Sequence, residues 1–168
     1  MSTDSPTDPP AAPPADPLRE QLAQLLDWKE AHAGFDKAVD GLPFEQQGQV
    51  PHGFEHSAWQ LLEHLRIAQA DILDFSVNAS YVHMKWPDAY WPVEPAPPGP
   101  EAWARSVAAY RADRETLKAL ARNPSIDLFA RIPHGDGQTC LREILLVVDH
   151  GAYHVGQLVS LRRALGCW

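Results

Sequence analysis

The sequence predicts an all-α fold, a four-helix bundle, on two observations. Apolar residues recur at three- and four-residue steps in four separate segments, which is the spacing of one face of an α-helix. No segment shows the alternation of apolar and polar residues that a half-buried strand requires. The chain has 168 residues, of which 45% are hydrophobic, so one domain can build its own core. Not all segments between the predicted helices are short, so one or two long crossovers are expected.

The first 17 residues differ from the rest in composition. They are rich in proline, aspartate, serine and threonine and contain no aromatic residue. Such a segment cannot bury enough apolar surface to offset the entropy lost on ordering. We therefore predict a disordered, proline-rich tail over residues 1–17 and a helical domain over residues 18–168.

The first predicted helix begins directly after this tail. Asp16 is a good N-cap, and Pro17 suits the first helical position. An apolar stripe runs from Leu18 to Val39, and Gly41 is expected to end the helix.

The second predicted helix opens with a capping box, in which Ser57 is the N-cap and Gln60 stands three residues later. Its apolar stripe runs to Phe75 and fades near Ser80. Residues 86–100 then contain six prolines, at positions 87, 92, 95, 97, 98 and 100. Proline removes a backbone donor and clashes with the preceding helical turn, so this segment is predicted to be a long connection without a helix.

Two further helices complete the prediction. The third begins near Pro100 and stops at Asn123, which precedes a proline. The fourth begins near Thr139 and runs to about Leu165. Its stretch 144–148 is apolar on every side, which predicts that this helix is the most buried one.

Charge and composition exclude several classes of protein. The net charge is -8 and no basic cluster is present, which opposes binding to nucleic acid. Neither a signal-peptide pattern nor an apolar run approaching about 18 residues is present, so we expect a cytoplasmic protein without a membrane partner. Cys140 and Cys167 lie outside any C-x-x-C motif, which argues against a disulfide framework and against a thiolate zinc site.

Three histidines are candidates for a metal site. His150 and His154 lie four residues apart on the fourth predicted helix, so both rings point to one face, one turn apart. This spacing alone also fits two ordinary polar residues. His64 lies beside the apolar stripe of the second helix, and three inward histidines would be costly to bury without a partner. A shared divalent cation satisfies them, with the ligand count of a catalytic zinc site; nickel or iron would fit the same ligands.

Two other metal motifs are weaker. Residues 52–56 read H-x-x-E-H, the pattern of inverted zinc peptidases, but Pro51 and Gly53 oppose the regular helix that this chemistry needs. A carboxylate-bridged di-iron centre would require Glu-x-x-His pairs, and none occurs.

The remaining notable residues are expected to be structural. Three histidines at a helix margin or in loops are predicted on the surface: His32, His83 and His134. Trp59 and Trp103 are predicted in the core or at an interface. Arg162 and Arg163 are expected to be solvated at a helix end, where they favour the C-terminal dipole.

The chain resembles the DinB-like superfamily. The resemblance rests on SAWQLLEHL at residues 57–65 and on DHGAYHVGQL at residues 149–158, and LRRALG at residues 161–166 is similar to the family's ending. It implies a bundle in up-down-down-up order, often a homodimer. It also implies a metal triad of one histidine on the second helix and two on the last, which maps onto His64, His150 and His154.

The resemblance implies several activities. Relatives include transferases and isomerases that depend on bacillithiol or mycothiol, and others are described as metal-dependent hydrolases. A metal with an open position lowers the pKa of a bound thiol or a bound water, so the triad itself does not choose between them. No cysteine lies within a turn of the triad in sequence. The nucleophile at the metal is therefore expected to come from outside the chain, as a thiol or a water molecule, and the resemblance favours a transferase that uses a low-molecular-weight thiol on a small electrophile. A hydrolase and a non-enzymatic helical dimer module with a structural metal are the alternatives.

Overall fold

The computed structural model describes residues 16–168, which contain six α-helices and no β-strand. The prediction of an all-α fold is confirmed. The helices are α1 (Pro17–Leu25), α2 (Phe35–Val39), α3 (Phe44–Gln47), α4 (Ala58–Val77), α5 (Ala102–Arg122) and α6 (Cys140–Ala164). Asp16 caps α1 as predicted, and Pro17 is already helical; the rest of the predicted tail lies outside the described residues.

The first predicted helix is not one helix but three short ones, α1 to α3, so its extension to Gly41 is wrong. The reason is visible in the apolar stripe, which lacks a member at the next turn, where Lys29 and Glu30 stand. Leu22 packs in one core cluster and Phe35 in another, and the break in the helix allows the chain to reach both.

The other three predicted helices are present, as α4, α5 and α6. Both halves of the capping box form at α4, where the Ser57 side chain accepts from the Gln60 backbone and the Gln60 side chain accepts from the Ser57 backbone. Asn123 ends α5, and Thr139 caps α6 through the Arg142 backbone N–H.

Two hydrophobic clusters form the core. The first contains the N-terminal halves of α4 and α5 and the C-terminal half of α6, and the second contains their opposite halves. Helices α4 and α5 therefore run in the same direction, and α6 runs in the opposite one. Arg19, at the start of α1, donates to the Ala121 and Asn123 carbonyls at the end of α5, so α1 also runs opposite to α5.

Parallel neighbours require a connection that returns along the bundle, and residues 78–101 form it between α4 and α5. A 20-residue helix is about 30 Å long, which explains the length of this segment. The prolines exclude an α-helix as predicted, although one turn of 3₁₀ helix forms at Asp88–Tyr90. The segment 90–95 lies along α4, where Gln60 donates to the Pro92 carbonyl and Ser57 donates to the Pro95 carbonyl.

Helix α6 departs from two expectations. Leu145 is 44% exposed, so the stretch 144–148 is not buried on every side. By length and composition alone α6 could cross a membrane, and the expectation that no segment qualifies is therefore wrong on that criterion. Its residues enter both core clusters, as those of the central helix of a soluble domain do.

Arg162 is buried, so its predicted solvation is wrong. It is 6% exposed, and its guanidinium donates to the carbonyls of Ala38, Asp40 and Cys167. These bonds tie the end of α2 to the end of α6. Arg163 is exposed as expected.

Candidate metal centre

The three predicted histidines meet between α4 and α6. One ring nitrogen from each of His64, His150 and His154 lies within 4.8 Å of the other two. The Nε2 atoms of His64 and His150 are 3.0 Å apart. His64 is 2% exposed and His154 is 7% exposed, because both face the bundle interior. The helical spacing of His150 and His154 and the inward face of His64 thus produce the expected cluster.

The ring orientation of His64 is held by the long connection. Its Nδ1 lies 3.0 Å from the Tyr90 carbonyl oxygen, which can only accept. Nδ1 of neutral His64 therefore carries the proton, and Nε2 presents a lone pair towards His150. Because His64 Nε2 can only accept, its short approach to His150 Nε2 requires a proton or a cation between the two atoms.

His154 is oriented in the same way from its own helix. Its Nδ1 lies 2.7 Å from the side-chain oxygen of Gln157, three residues later on α6. An amide oxygen also only accepts, so Nδ1 donates and Nε2 keeps a lone pair. Gln157 in turn donates to the Tyr153 hydroxyl at 3.2 Å.

All three imidazoles have lowered pKa values. Burial, together with the smaller effect of neighbouring histidines, lowers the pKa of His150 and that of His154 to about 4. Burial also lowers the pKa of His64, against the opposing effect of its bond to the Tyr90 carbonyl. The rings are therefore neutral at pH 7, the state in which imidazole binds a metal.

The residues present fit a divalent ion. Zinc holds imidazole nitrogens at about 2.0–2.1 Å in tetrahedral geometry, which sets neighbouring nitrogens roughly 3.3 Å apart. The spacing of the three ring nitrogens, from 3.0 Å to at most 4.8 Å, brackets that value. Metal-bound histidines usually donate their other N–H to a fixed acceptor, and the Tyr90 carbonyl and Gln157 supply such acceptors. The cluster could therefore hold a metal.

A tryptophan covers one side of the cluster. The Trp91 ring stacks on the His64 ring at 3.8 Å between centroids and 3° between planes. The His56 ring stacks on Trp91 at 3.9 Å. Asp71 fixes the start of this cover by accepting from the Tyr90 hydroxyl at 2.6 Å. The proline-rich segment thus forms a wall of the site.

An open cleft of about 620 Å³ lies beside the cluster. Residues 53–56 form one side of it, and the exposed face of α6 forms the other through Tyr153, Gln157 and Ser160. Gln157 lies between the histidine cluster and the cleft, since it accepts a hydrogen bond from His154 and also lines the cleft.

Comparison with known proteins identifies the family of the chain. The family model described as the DinB superfamily matches residues 27–158. This chain belongs to the DinB superfamily. Searches of curated proteins and of solved structures found no match. The match covers all of α4 and residues 140–158 of α6, and it therefore includes the three histidines of this DinB-superfamily protein.

The competing H-x-x-E-H motif is not a metal site in this DinB-superfamily protein. Residues 51–56 form turns, as Pro51 and Gly53 predict, so no helix carries His52 and His56 together. His56 stacks on Trp91 at the margin of the triad instead. Three other histidines are exposed, as predicted: His32, His83 and His134. Trp59 and Trp103 are buried in the core, also as predicted.

Neither cysteine belongs to the triad. Both thiols are free; Cys140 is buried in the second core cluster, and the Cys167 thiol lies 3.5 Å from the Arg162 carbonyl oxygen. Burial raises the pKa of Cys140, which disfavours its thiolate.

Several residues around the triad were not predicted from the sequence. Gln157 had a usable signal, because it lies three residues after His154 on the same helix and can contact it. Tyr90 and Trp91 had none, since a long connection can return along any face of the bundle. Their position depends on contacts with residues far away in sequence, above all Asp71 and His64.

Proposed function

We propose that this protein binds one divalent metal ion through His64, His150 and His154 and uses it to transfer a low-molecular-weight thiol to a small electrophile. Zinc or nickel suits these three nitrogens, and iron fits the same set. The proposal rests on one observation, the convergence of one ring nitrogen from each of three neutral histidines. In His64 and in His154 a hydrogen bond from Nδ1 leaves the lone pair on Nε2.

An ion held there supplies a Lewis-acidic position that lowers the pKa of a thiol or a water molecule. The ligand cluster supports a thiol that comes from outside, because it contains neither cysteine of the chain. Within the described residues, the cluster of possible ligands contains no carboxylate. A general-base carboxylate need not be a metal ligand, and Glu55 lines the adjoining cleft, so a hydrolase is the alternative that the assays must separate from the transferase.

The cleft beside His154 suits the electrophile. The Tyr153 hydroxyl accepts from Gln157, so its own proton is free to point into the cleft. That hydroxyl can donate to a carbonyl or to a departing oxygen of the substrate. His56 and Phe54 line the opposite side and offer flat apolar contact.

The atoms and electrons of the proposed transfer balance without a further reagent. The thiol loses its proton to solvent, and its sulfur forms a bond to the electrophilic carbon. The bond from that carbon to the leaving group breaks, and the leaving group keeps the electron pair. The Tyr153 hydroxyl is the donor placed to stabilise that group as it departs.

The test combines metal analysis with two assays. Protein purified without chelator should contain about one divalent ion per chain, and conjugation of a thiol panel to a generic electrophile should depend on that ion. His64→Ala should lose both properties. His83→Ala, which removes an exposed histidine away from the triad, is the matched control and should keep both.

Other results would redirect or refute the proposal. Ester or amide cleavage that needs the metal but no thiol would identify a hydrolase. A metal-loaded, folded protein that is inactive in both assays would be a binding or structural module. Failure of the metal-free wild type to take up zinc or nickel would refute the site itself.

A further inference from the structure

A second cavity lies on another face of α6, away from the histidine triad. It has a volume of about 260 Å³ and lies between α1, the segment 26–34, α5 and α6. Apolar side chains form most of its wall: Leu25, Leu26, Trp28, Phe35, Val147 and Val155. None of the three histidines lines it, and the proposed transferase reaction does not use it.

The buried polar side chain in the lining of this cavity is Tyr110 on α5, whereas Trp28 and His32 line its exposed margin. Tyr110 is 5% exposed, and its ring is held by stacking on Phe35 at 3.9 Å. The hydroxyl oxygen lies 3.5 Å from the point where a Cβ on Gly151 would stand, so it is directed at α6. Within residues 16–168 this hydroxyl makes no hydrogen bond, and its oxygen is accessible rather than one of the fully buried unpaired atoms.

The hydroxyl is a neutral donor under ordinary conditions. Burial raises the pKa of Tyr110 to about 12. Its oxygen therefore keeps its proton at pH 7 and can donate it to an acceptor placed in the cavity.

The segment over the cavity is clamped at both ends by one arginine. Arg114 pairs with Asp27 at 3.0 Å and with Asp36, also at 3.0 Å. These two carboxylates lie on either side of residues 28–35, which cover the cavity. Lys118 also pairs with Asp27, and Arg111 also pairs with Asp36. These charges are paired with one another, so an uncharged occupant is favoured.

We propose that this cavity binds a small, uncharged, largely apolar molecule whose one hydrogen-bond acceptor receives the Tyr110 hydroxyl proton. The volume sets the size of the occupant. An apolar cavity of about 150 Å³ holds a single benzene ring, and drug-sized ligands occupy about 300 Å³ or more. An occupant of one ring with a short substituent therefore fits.

The experiment uses 4′-fluoroacetophenone as the probe, with binding to the full chain followed by fluorine NMR. The wild type should bind it with a Kd on the order of 1 mM or tighter. Tyr110→Phe removes only the hydroxyl, and the loss of one hydrogen bond should weaken binding about 3- to 10-fold. The analogue 1-ethyl-4-fluorobenzene lacks the acceptor and should bind the wild type and Tyr110→Phe equally.

A second variant tests the location. Ala31 is exposed and lines the cavity, so Ala31→Phe should fill the entrance without disturbing the core and should abolish binding of the ketone. Ala119→Phe places the same side chain on an exposed part of α5 away from the cavity and should leave binding unchanged. Undetectable binding to the wild type, or binding that neither Tyr110→Phe nor Ala31→Phe alters, would overturn the proposal.

Discussion

Two neighbouring faces of α6 carry different kinds of site. On one face His150 and His154 meet His64, and on the other Gly151 and Val155 line an apolar cavity beneath Tyr110. The residues of the two faces are adjacent in sequence, since each histidine directly precedes a cavity residue. A helix advances 100° per residue, so this one-residue step is enough to separate the histidine triad from the apolar cavity.

The two faces differ in how completely their polar groups are satisfied. Around the triad, ring nitrogens, a carbonyl, an amide and a hydroxyl form a connected network that fixes the direction of each lone pair. In the cavity the hydroxyl of the buried Tyr110 stands in a mostly apolar wall, with His32 at the exposed margin. The converging lone pairs of the three histidines suit a cation, whereas the hydroxyl donor of Tyr110 suits a neutral hydrogen-bond acceptor. The polar network therefore distinguishes the sites better than their volumes do.

The largest expected effect comes from His154→Ala. Loss of an outer-shell partner of a metal ligand costs roughly 10–100-fold in affinity, and loss of a ligand itself should cost more. We expect zinc affinity to fall by more than about 100-fold, measured by titration against a competing chelator. Ketone binding in the Tyr110 cavity should be unchanged, because His154 does not line it. A parallel loss of both would show that the two faces form one site.

Gln157→Leu tests the outer shell of the same face. It removes the acceptor for His154 Nδ1 while keeping similar bulk, so zinc affinity should fall about 10–100-fold. The same chelator titration measures this change. Ser160→Ala, one turn further along the exposed face, is the control and should have wild-type affinity. If Gln157→Leu also has wild-type affinity, the bond to His154 does not support the metal site.

Acidification should destabilise the metal-free protein through the histidines of the triad. The pKa of unfolded histidine is about 6.5, whereas that of His150 and that of His154 in the fold is about 4. Between these values the unfolded chain takes up protons that the folded chain does not. The melting temperature of metal-free protein should therefore fall as the pH drops from about 6.5 to about 4.

Metal-loaded protein should lose its additional stability over the same range, because protons compete for the ligand nitrogens. The gap between loaded and metal-free melting temperatures should consequently shrink as the pH falls. His150→Ala removes one titrating group, and its metal-free melting curve should depend less on pH. A gap that widens on acidification contradicts the metal assignment.

The smallest expected effect is Val155→Ala on the cavity face. Val155 is buried in the first core cluster, and removal of its methyl groups should lower the free energy of unfolding by about 1–3 kcal/mol. Urea denaturation measures this change. Metal content should stay at the wild-type level, in contrast to His154→Ala one position earlier. Loss of metal in Val155→Ala would mean that core packing, rather than the histidine network, positions the ligands.

Much of the fold follows from local sequence. The Ser57 capping box, the Thr139 cap and the proline content of residues 86–100 act within a few residues, so their outcomes can be predicted without tertiary contacts. The break after Leu25 could have been found from the missing apolar turn at Lys29.

The sequence by itself determined the all-α class, the limits of α4 to α6 and the identity of the triad, because helical periodicity places side chains on faces whatever the rest of the chain does. Only the tertiary structure decided that Trp91 covers His64, that Arg162 is buried beneath the α2 carbonyls, and that Tyr110 faces a cavity. Each of these depends on contacts between segments distant in sequence. Such contacts are set by how the helices pack and where the connections return, and no local pattern encodes either one.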